Sequence, residues 1–288
     1  MKVLPVLSVF LFGRKRWMKV FSLKIGYNED MKPIYDIPLL SADEAPNFLD
    51  QFKGKVGLLV NTTVGCGNAN QMEILQRLQD TYGGDDFQVI AIPTNDYCGP
   101  GITHGKWSQG ITCGADSQNY GKDVYGTTFQ YSEMVASNPN TSVNEISPHN
   151  GDNTVNGLGQ PRQTPHELYQ QVAEQMNNMG QKEKELGIVN KKEYYSYWLN
   201  MDTGGSEQGG NFEKYLIDKD GYISKWYQCT VLNYDSEKGV KEAAAREGRP
   251  IDVGPGRSMK IFEEEYSVVC KEIEELIAGK KSLINPNA

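Results

Sequence analysis

Two continuous apolar runs, Lys55 to Asn61 (KVGLLVN) and Phe87 to Ile92 (FQVIAI), predict strands buried on both faces. Between them Met72, Leu75, Leu78 and Tyr82 recur at helical spacing. Asn70 with Glu73 three residues on reads as a capping box, and Gly83-Gly84 ends the helix. Strand, helix and strand with short links form a βαβ unit, so its strands should be parallel with a right-handed crossover. Ahead of it, Ile34 to Ile37 reads as a short extended segment. Far downstream, Asn211 to Asp218 and Tyr222 to Tyr227 predict two more strands, joined by a Lys219-Asp220-Gly221 turn. Asp218-x-Asp220-Gly221 has the opening of a calcium loop but lacks the later ligands and the closing glutamate, so the turn reading prevails. A closing helix over 260–279 carries Phe262, Tyr266, Val269, Ile273 and Ile277 on one stripe. The layout, βαβ followed by ββα, predicts an α/β fold: a central mixed sheet flanked by helices.

Two polar stretches interrupt this pattern. Residues 137–165 are rich in Asn, Pro, Gly, Thr and Ser and read as a long surface loop. A helix starts near Thr164, with Thr164 and Glu167 as its capping box. Residues 180–210 pass from a charged run through Tyr194 to Trp198 into a flexible Gly-rich end. Both are expected as insertions in one domain over 31–285. Residues 1–30 form an arm: an apolar run from Val3 to Gly13, then Arg14, Lys15 and Arg16. The run is too short to span a bilayer, which takes about twenty residues. Its charge follows the apolar part and no small-residue cleavage site appears, a poor signal peptide. It reads as an arm or first strand that docks on an apolar surface, on this chain or another.

Composition narrows the function classes. The 288 residues carry a formal charge of −8, a poor match to nucleic acid or an anionic membrane surface. Five cysteines (Cys66, Cys98, Cys113, Cys229 and Cys270) are too few for a disulfide scaffold, and their odd count leaves at least one unpaired in a monomer. No cysteine pair has metal-ligand spacing, and His104, His149 and His166 are scattered. Without a Cys-x-x-Cys, a thioredoxin-like reductant is disfavoured. Sparse cysteines point to a cytoplasmic setting.

Four stretches, in order, resemble the glutathione peroxidase family. Ile34-Tyr35-Asp36 is similar to its opening. Gly54 to Gly67 (GKVGLLVNTTVGCG) is similar to its first strand and active-site loop, which ends in a peroxidatic cysteine or selenocysteine and a glycine. Pro93-x-Asn95 resembles its Pro-x-Asn-Gln loop, and Asn211 to Gly221 (NFEKYLIDKDG) its Trp-Asn-Phe strand and hairpin. Tyr125-Gly126-x-Thr128-Phe129 and His166-x-Leu168-Tyr169 add weaker echoes. The resemblance implies a thioredoxin-like fold with Cys66 as nucleophile, just ahead of a helix N-terminus that favours its thiolate. Of the family's glutamine, tryptophan and asparagine around the sulfur, it keeps Asn211. The glutamine position falls on Asp96 and the tryptophan position on Gly210. Neither offers the lost donor, and a carboxylate near sulfur disfavours the thiolate. Cys98 and Cys113 are the candidate resolving thiols.

Two functions follow. One is a thiol-dependent peroxidase: Cys66 attacks hydrogen peroxide or an organic hydroperoxide, Asn211 and backbone N–H groups steady the thiolate, and Asp96 handles a proton. Thioredoxin or a small thiol would be the reductant, with no haem, flavin or metal. The other is a structural protein that kept the fold and lost the reaction. Its arm (1–20) and insertions (137–210) would then contact partners in a large assembly such as a phage tail or baseplate, which would place it in a virion.

Overall fold

The computed structural model describes residues 31–63, 69–94, 111, 113–137, 165–188, 212–227, 231–232 and 259–288, without the side chains of 184 and 259–262. The arm, both insertions for the most part, and Cys66, Cys98, Cys229, Asp96, Gly210 and Asn211 lie outside the described residues.

Five strands form one sheet in the order β3-β2-β1-β4-β5. The apolar run after Lys55 becomes β1 (Val56–Thr62), buried at every position as a central strand must be. It pairs in parallel with β2 (Phe87–Pro93), Val56 opposite Phe87 and Thr62 opposite Pro93. The link between them is α1 (Gln71–Tyr82), so the predicted βαβ unit is present. β3 (Gln130–Tyr131) adds in parallel to the outer side of β2. β4 (Lys214–Ile217) runs antiparallel on the other side of β1, and β5 (Ile223–Tyr227) antiparallel to β4. The βαβ and ββα units thus join at β1 in the thioredoxin-like arrangement the sequence implies.

Alternation along the strands sorts two cores. Val56, Leu58, Val60, Val89, Ala91 and Leu216 face α1, α2 (Gly114–Tyr125) and α4 (Met259–Ile277). Leu59, Ile90, Ile92, Tyr215 and Ile217 face α3 (Glu167–Glu185) and two short 3-10 turns. Each fully buried Leu or Ile contributes roughly 1.5–3 kcal/mol by leaving water. On α4 the stripe holds at Tyr266, Val269 and Ile273, and its next turn is completed by buried Leu276, with Ile277 only partly covered. Cys270 packs against this core beside the stripe.

Several local readings need correction. Ile34–Asp36 is a 3-10 turn, not an extended piece: the Ile37 N–H donates to the Ile34 carbonyl, burying Ile34 and Tyr35. Asn70 does not cap α1 through its side chain. It already has right-handed helical angles, and the turn begins one residue earlier, where the Met72 N–H donates to the Ala69 carbonyl. At α3 the capping atom is Nδ1 of His166, which accepts from the Leu168 N–H at 3.1 Å, and Thr164 lies outside the described residues. Partial burial pushes the His166 imidazole below its usual range, with Glu133 and Glu167 opposing. The neutral ring is the form that can accept this bond.

The Lys219-Asp220-Gly221 turn is present, with Asp218 Oδ1 accepting from the Asp220 and Tyr222 N–H groups. Among the described residues no group of acidic, Cys or His side chains could hold a metal. Gly221 has φ +93°, and a Cβ there would meet the Pro33 Cβ at 2.8 Å. Both the backbone angle and the contact forbid a side chain, so Gly221→Ala is expected to cost about 2 kcal/mol. Urea denaturation checks this; an unchanged midpoint would remove the assigned role.

Candidate functional site

Parallel strands carry chemistry where their carboxyl ends open onto loops. Here that edge is formed by Thr62 and Thr63 after β1, Thr94 after β2, and Ser132–Glu133 after β3. Because β4 is antiparallel, its start, Phe212 and Glu213, lies at the same edge. Backbone bonds fasten these ends together. The Thr94 N–H donates to the Thr62 carbonyl at 2.9 Å, and the Phe212 N–H to the Asn61 carbonyl at 2.8 Å. Asn61 contributes its side chain too, its Oδ1 accepting from the Glu213 N–H at 2.7 Å.

The predicted site residues lie outside the described residues, but their chain neighbours do not. Cys66 follows Thr63 by three positions and precedes α1. Asp96 and Cys98 follow Thr94 by two and four. Asn211 directly precedes Phe212. The described flanks of all four residues therefore meet at one edge of the sheet.

Cys113, the one predicted site residue described, is an exposed free thiol at the N-cap of α2. The helix runs back antiparallel to β3, and its first residue abuts the far end of that strand: a Cβ on Gly114 would meet the Ser132 carbonyl oxygen at 2.2 Å. Cys113 thus occupies the same carboxyl edge, beside β3. Two strand spacings, about 10 Å, separate β3 from β1.

Beneath the edge the residues are buried and polar. Thr62 is 1% exposed, and its hydroxyl has no hydrogen-bond partner among the described residues. The Tyr131 hydroxyl sits 3.1 Å from Thr127 Oγ1 and 3.8 Å from Met72 Sδ. Burial pushes this phenol well above its usual range, so it stays a neutral donor. Glu213 accepts from the Tyr215 hydroxyl at 2.9 Å and from Trp226 Nε1 at 3.3 Å. Lys214 is fully buried, and its ammonium donates to Gln71 Oε1 on the first residue of α1 and to the Val231 carbonyl.

Sequence reasoning passed over Lys214, Gln71, α2 and β3. Lys214 could have been flagged, since KYLI alternates onto the α1 face at Lys214 and Leu216, and a cation there must be satisfied within the core. α2 (GADSQNYGKDVY) carries too weak an apolar stripe to stand out.

Comparison with known proteins agrees with this architecture. Residues 34–142 match the glutathione peroxidase family model. Over 105 residues the chain is 34% identical to the glutathione peroxidase homolog BsaA of Staphylococcus epidermidis, a match covering 36% of this chain and 61% of that protein. It is 33% identical to the hydroperoxy fatty acid reductase gpx1 of Synechocystis sp., covering 36% of this chain and 57% of that one. The match thus spans about three fifths of these two relatives' length. A longer alignment, 26% identical, joins 74% of this chain to 97% of glutathione peroxidase 1 of Caenorhabditis elegans. Over this matched segment, which lies on the five-stranded α/β sheet, the chain is similar to the glutathione peroxidase family.

Proposed function

We propose that this chain is a thiol-dependent peroxidase with Cys66 as its nucleophile. One observation carries the reading: the described flanks of Cys66, Asp96 and Asn211 converge on one sheet edge, next to the N-terminus of α1. The positive end of that helix's dipole favours an anion. The Cys66 thiolate attacks one peroxide oxygen and the O–O bond breaks. Sulfur is oxidised to the sulfenic acid, and the leaving oxygen takes a proton to become water or an alcohol. Asp96, in its protonated form, supplies that proton, and Asn211 donates to the sulfur anion.

A thiol then condenses with the sulfenic acid, releasing water and forming a disulfide, and a second thiol opens it. One hydroperoxide and two thiols give an alcohol, water and a disulfide. Thioredoxin or a small thiol supplies the reducing equivalents. Cys98 or Cys113 is the resolving thiol, Cys113 by virtue of its exposure at the same edge. The names of two relatives, a hydroperoxy fatty acid reductase and glutathione peroxidases, favour organic hydroperoxides beside hydrogen peroxide. The assembly reading rests on the arm and on insertions mostly outside the described residues.

The test is consumption of hydrogen peroxide and of a fatty-acid hydroperoxide, with thioredoxin and with glutathione in turn. Turnover by the wild-type chain with either reductant is expected. A chain no more active than its Cys66→Ser variant overturns the reading.

A further inference from the structure

The first turn of α3 is closed by a ring that titrates. Nδ1 of His166 accepts from the Leu168 N–H at 3.1 Å, and the His166 carbonyl accepts from the Tyr169 and Gln170 N–H groups at 2.9 and 3.2 Å. A protonated imidazole carries N–H on both nitrogens and has no acceptor left. The imidazolium therefore cannot hold the Leu168 N–H, because two donors would face each other. Leu168 is 0% exposed, so the freed N–H lies away from water. The same residue moors the carboxyl edge. Its own N–H donates to the Ala136 carbonyl at 3.0 Å. That stretch is held to β2 by the Val135 N–H on the Pro93 carbonyl at 3.0 Å, and by Ser137 Oγ, 3.4 Å from Thr94 Oγ1. Among the described residues two charges act on the ring, Glu133 just after β3 and Glu167 on α3 itself. Glu133 Oε1 also accepts from the Leu40 N–H at 2.9 Å, and Glu167 pairs with Lys32 Nζ at 2.9 Å. Partial burial outweighs both carboxylates and favours the neutral ring, and the positive end of α3 disfavours a cation there too.

We propose that His166 is a pH-sensitive latch: neutral, it closes the first turn of α3 against the carboxyl edge; protonated, it releases the Leu168 N–H and turns toward Glu133 and Glu167. The two carboxylates give the imidazolium a destination, so protonation opens this turn rather than the whole chain. Folding disfavours the charged ring, so the fold gains from the latch at high pH and loses that gain as pH falls. The contribution is complete above the unfolded imidazole value of about 6.5 and disappears below it, toward the lower folded value. The acid-sensitive joint sits where residues 138–164 leave and rejoin the described chain, at the edge that carries the candidate site. It does not rest on the peroxidase reading.

The experiment is amide hydrogen exchange on the full chain at about pH 7.5 and about pH 5, either side of the imidazole range, with each rate divided by its intrinsic value at that pH. Protection of the Leu168 amide is expected to fall about fivefold on acidification, the loss of one helix cap, while α1 amides such as Leu75 keep theirs. His166→Asn places an oxygen where Nδ1 stands, an acceptor at either pH, and should hold the protection level. His166→Ala has no acceptor and should be poorly protected at both. Nitrogen NMR of the wild-type ring in the neutral form should find its proton on Nε2. A neutral ring protonated on Nδ1, a wild-type Leu168 amide whose protection ignores pH, or an acid loss that persists unchanged in His166→Asn overturns the proposal. The first two of these are read on the unaltered chain, so a variant that misfolds leaves the test intact.

Discussion

Cys66→Ser is expected to lower hydroperoxide consumption by at least about 1,000-fold, the equivalent of about 4 kcal/mol in activation free energy. Serine preserves the size of the side chain but not its chemistry. Its hydroxyl is not ionised near neutral pH, whereas a cysteine ahead of a helix N-terminus can be largely thiolate. Sulfur also reaches the sulfenic acid by accepting oxygen, a step with no oxygen counterpart. The flanking structure should be untouched, since the bonds at this edge run between Asn61, Thr62, Thr94 and Phe212. The variant should therefore unfold with the wild-type midpoint, separating lost chemistry from lost fold. Cys113→Ser should act differently if Cys113 is the resolving thiol: one oxidation event survives and repeated turnover with thioredoxin falls.

Asp218→Ala should produce the largest loss of stability, about 4 kcal/mol. The carboxylate is 1% exposed and works as a knot. One oxygen accepts from the N–H groups of Asp220 and Tyr222 at 3.0 and 2.9 Å, closing the β4–β5 turn. The other accepts from the Ser282 N–H and Asn285 Nδ2, both at 2.8 Å, drawing the segment after α4 onto that turn. Alanine leaves the Tyr222 and Ser282 N–H groups buried without this acceptor, at about 1–3 kcal/mol for each such group, while Asn285 Nδ2 keeps its bond to Asp220 Oδ2. The costs do not add fully, because the tail can lift and find water. Asp218→Asn keeps one acceptor and should cost less than half as much. Urea unfolding gives the magnitude, and limited proteolysis after residue 278 reports the lifted tail. A wild-type midpoint for Asp218→Ala would show that the knot carries no load.

The strands at the centre were legible because burial on both faces leaves an uninterrupted apolar run, as in GLLV and VIAI. The hairpin was legible from Lys219-Asp220-Gly221, since few residues tolerate the backbone at Gly221. Edges read less well. β3 is two residues long and pairs only through Gln130 and Tyr131, too short for any period to show. α2 buries glycine, serine and tyrosine where a pattern search seeks Leu and Val. Strand ends were overdrawn by up to three residues: β4 begins at Lys214, not Asn211, because Phe212 has φ +60° and turns the chain out of the ladder. The cap of α3 eluded sequence because a histidine supplies it. Cys66 and Asn211 are legible as a pattern that resembles the family, and both lie outside the described residues. The burial of Lys214 was not legible, since it depends on the antiparallel pairing that carries β4 past α1.

The central claim is that peroxide oxidises one particular sulfur, at the carboxyl edge of β1. Dimedone trapping tests it most directly. The reduced chain is treated with one equivalent of hydroperoxide, and the five cysteines are mapped by mass spectrometry. The adduct is expected on Cys66 first, and in its place a Cys66 disulfide to Cys98 or Cys113 when dimedone is withheld. Adducts that appear on the exposed Cys113 while Cys66 stays reduced would contradict the account.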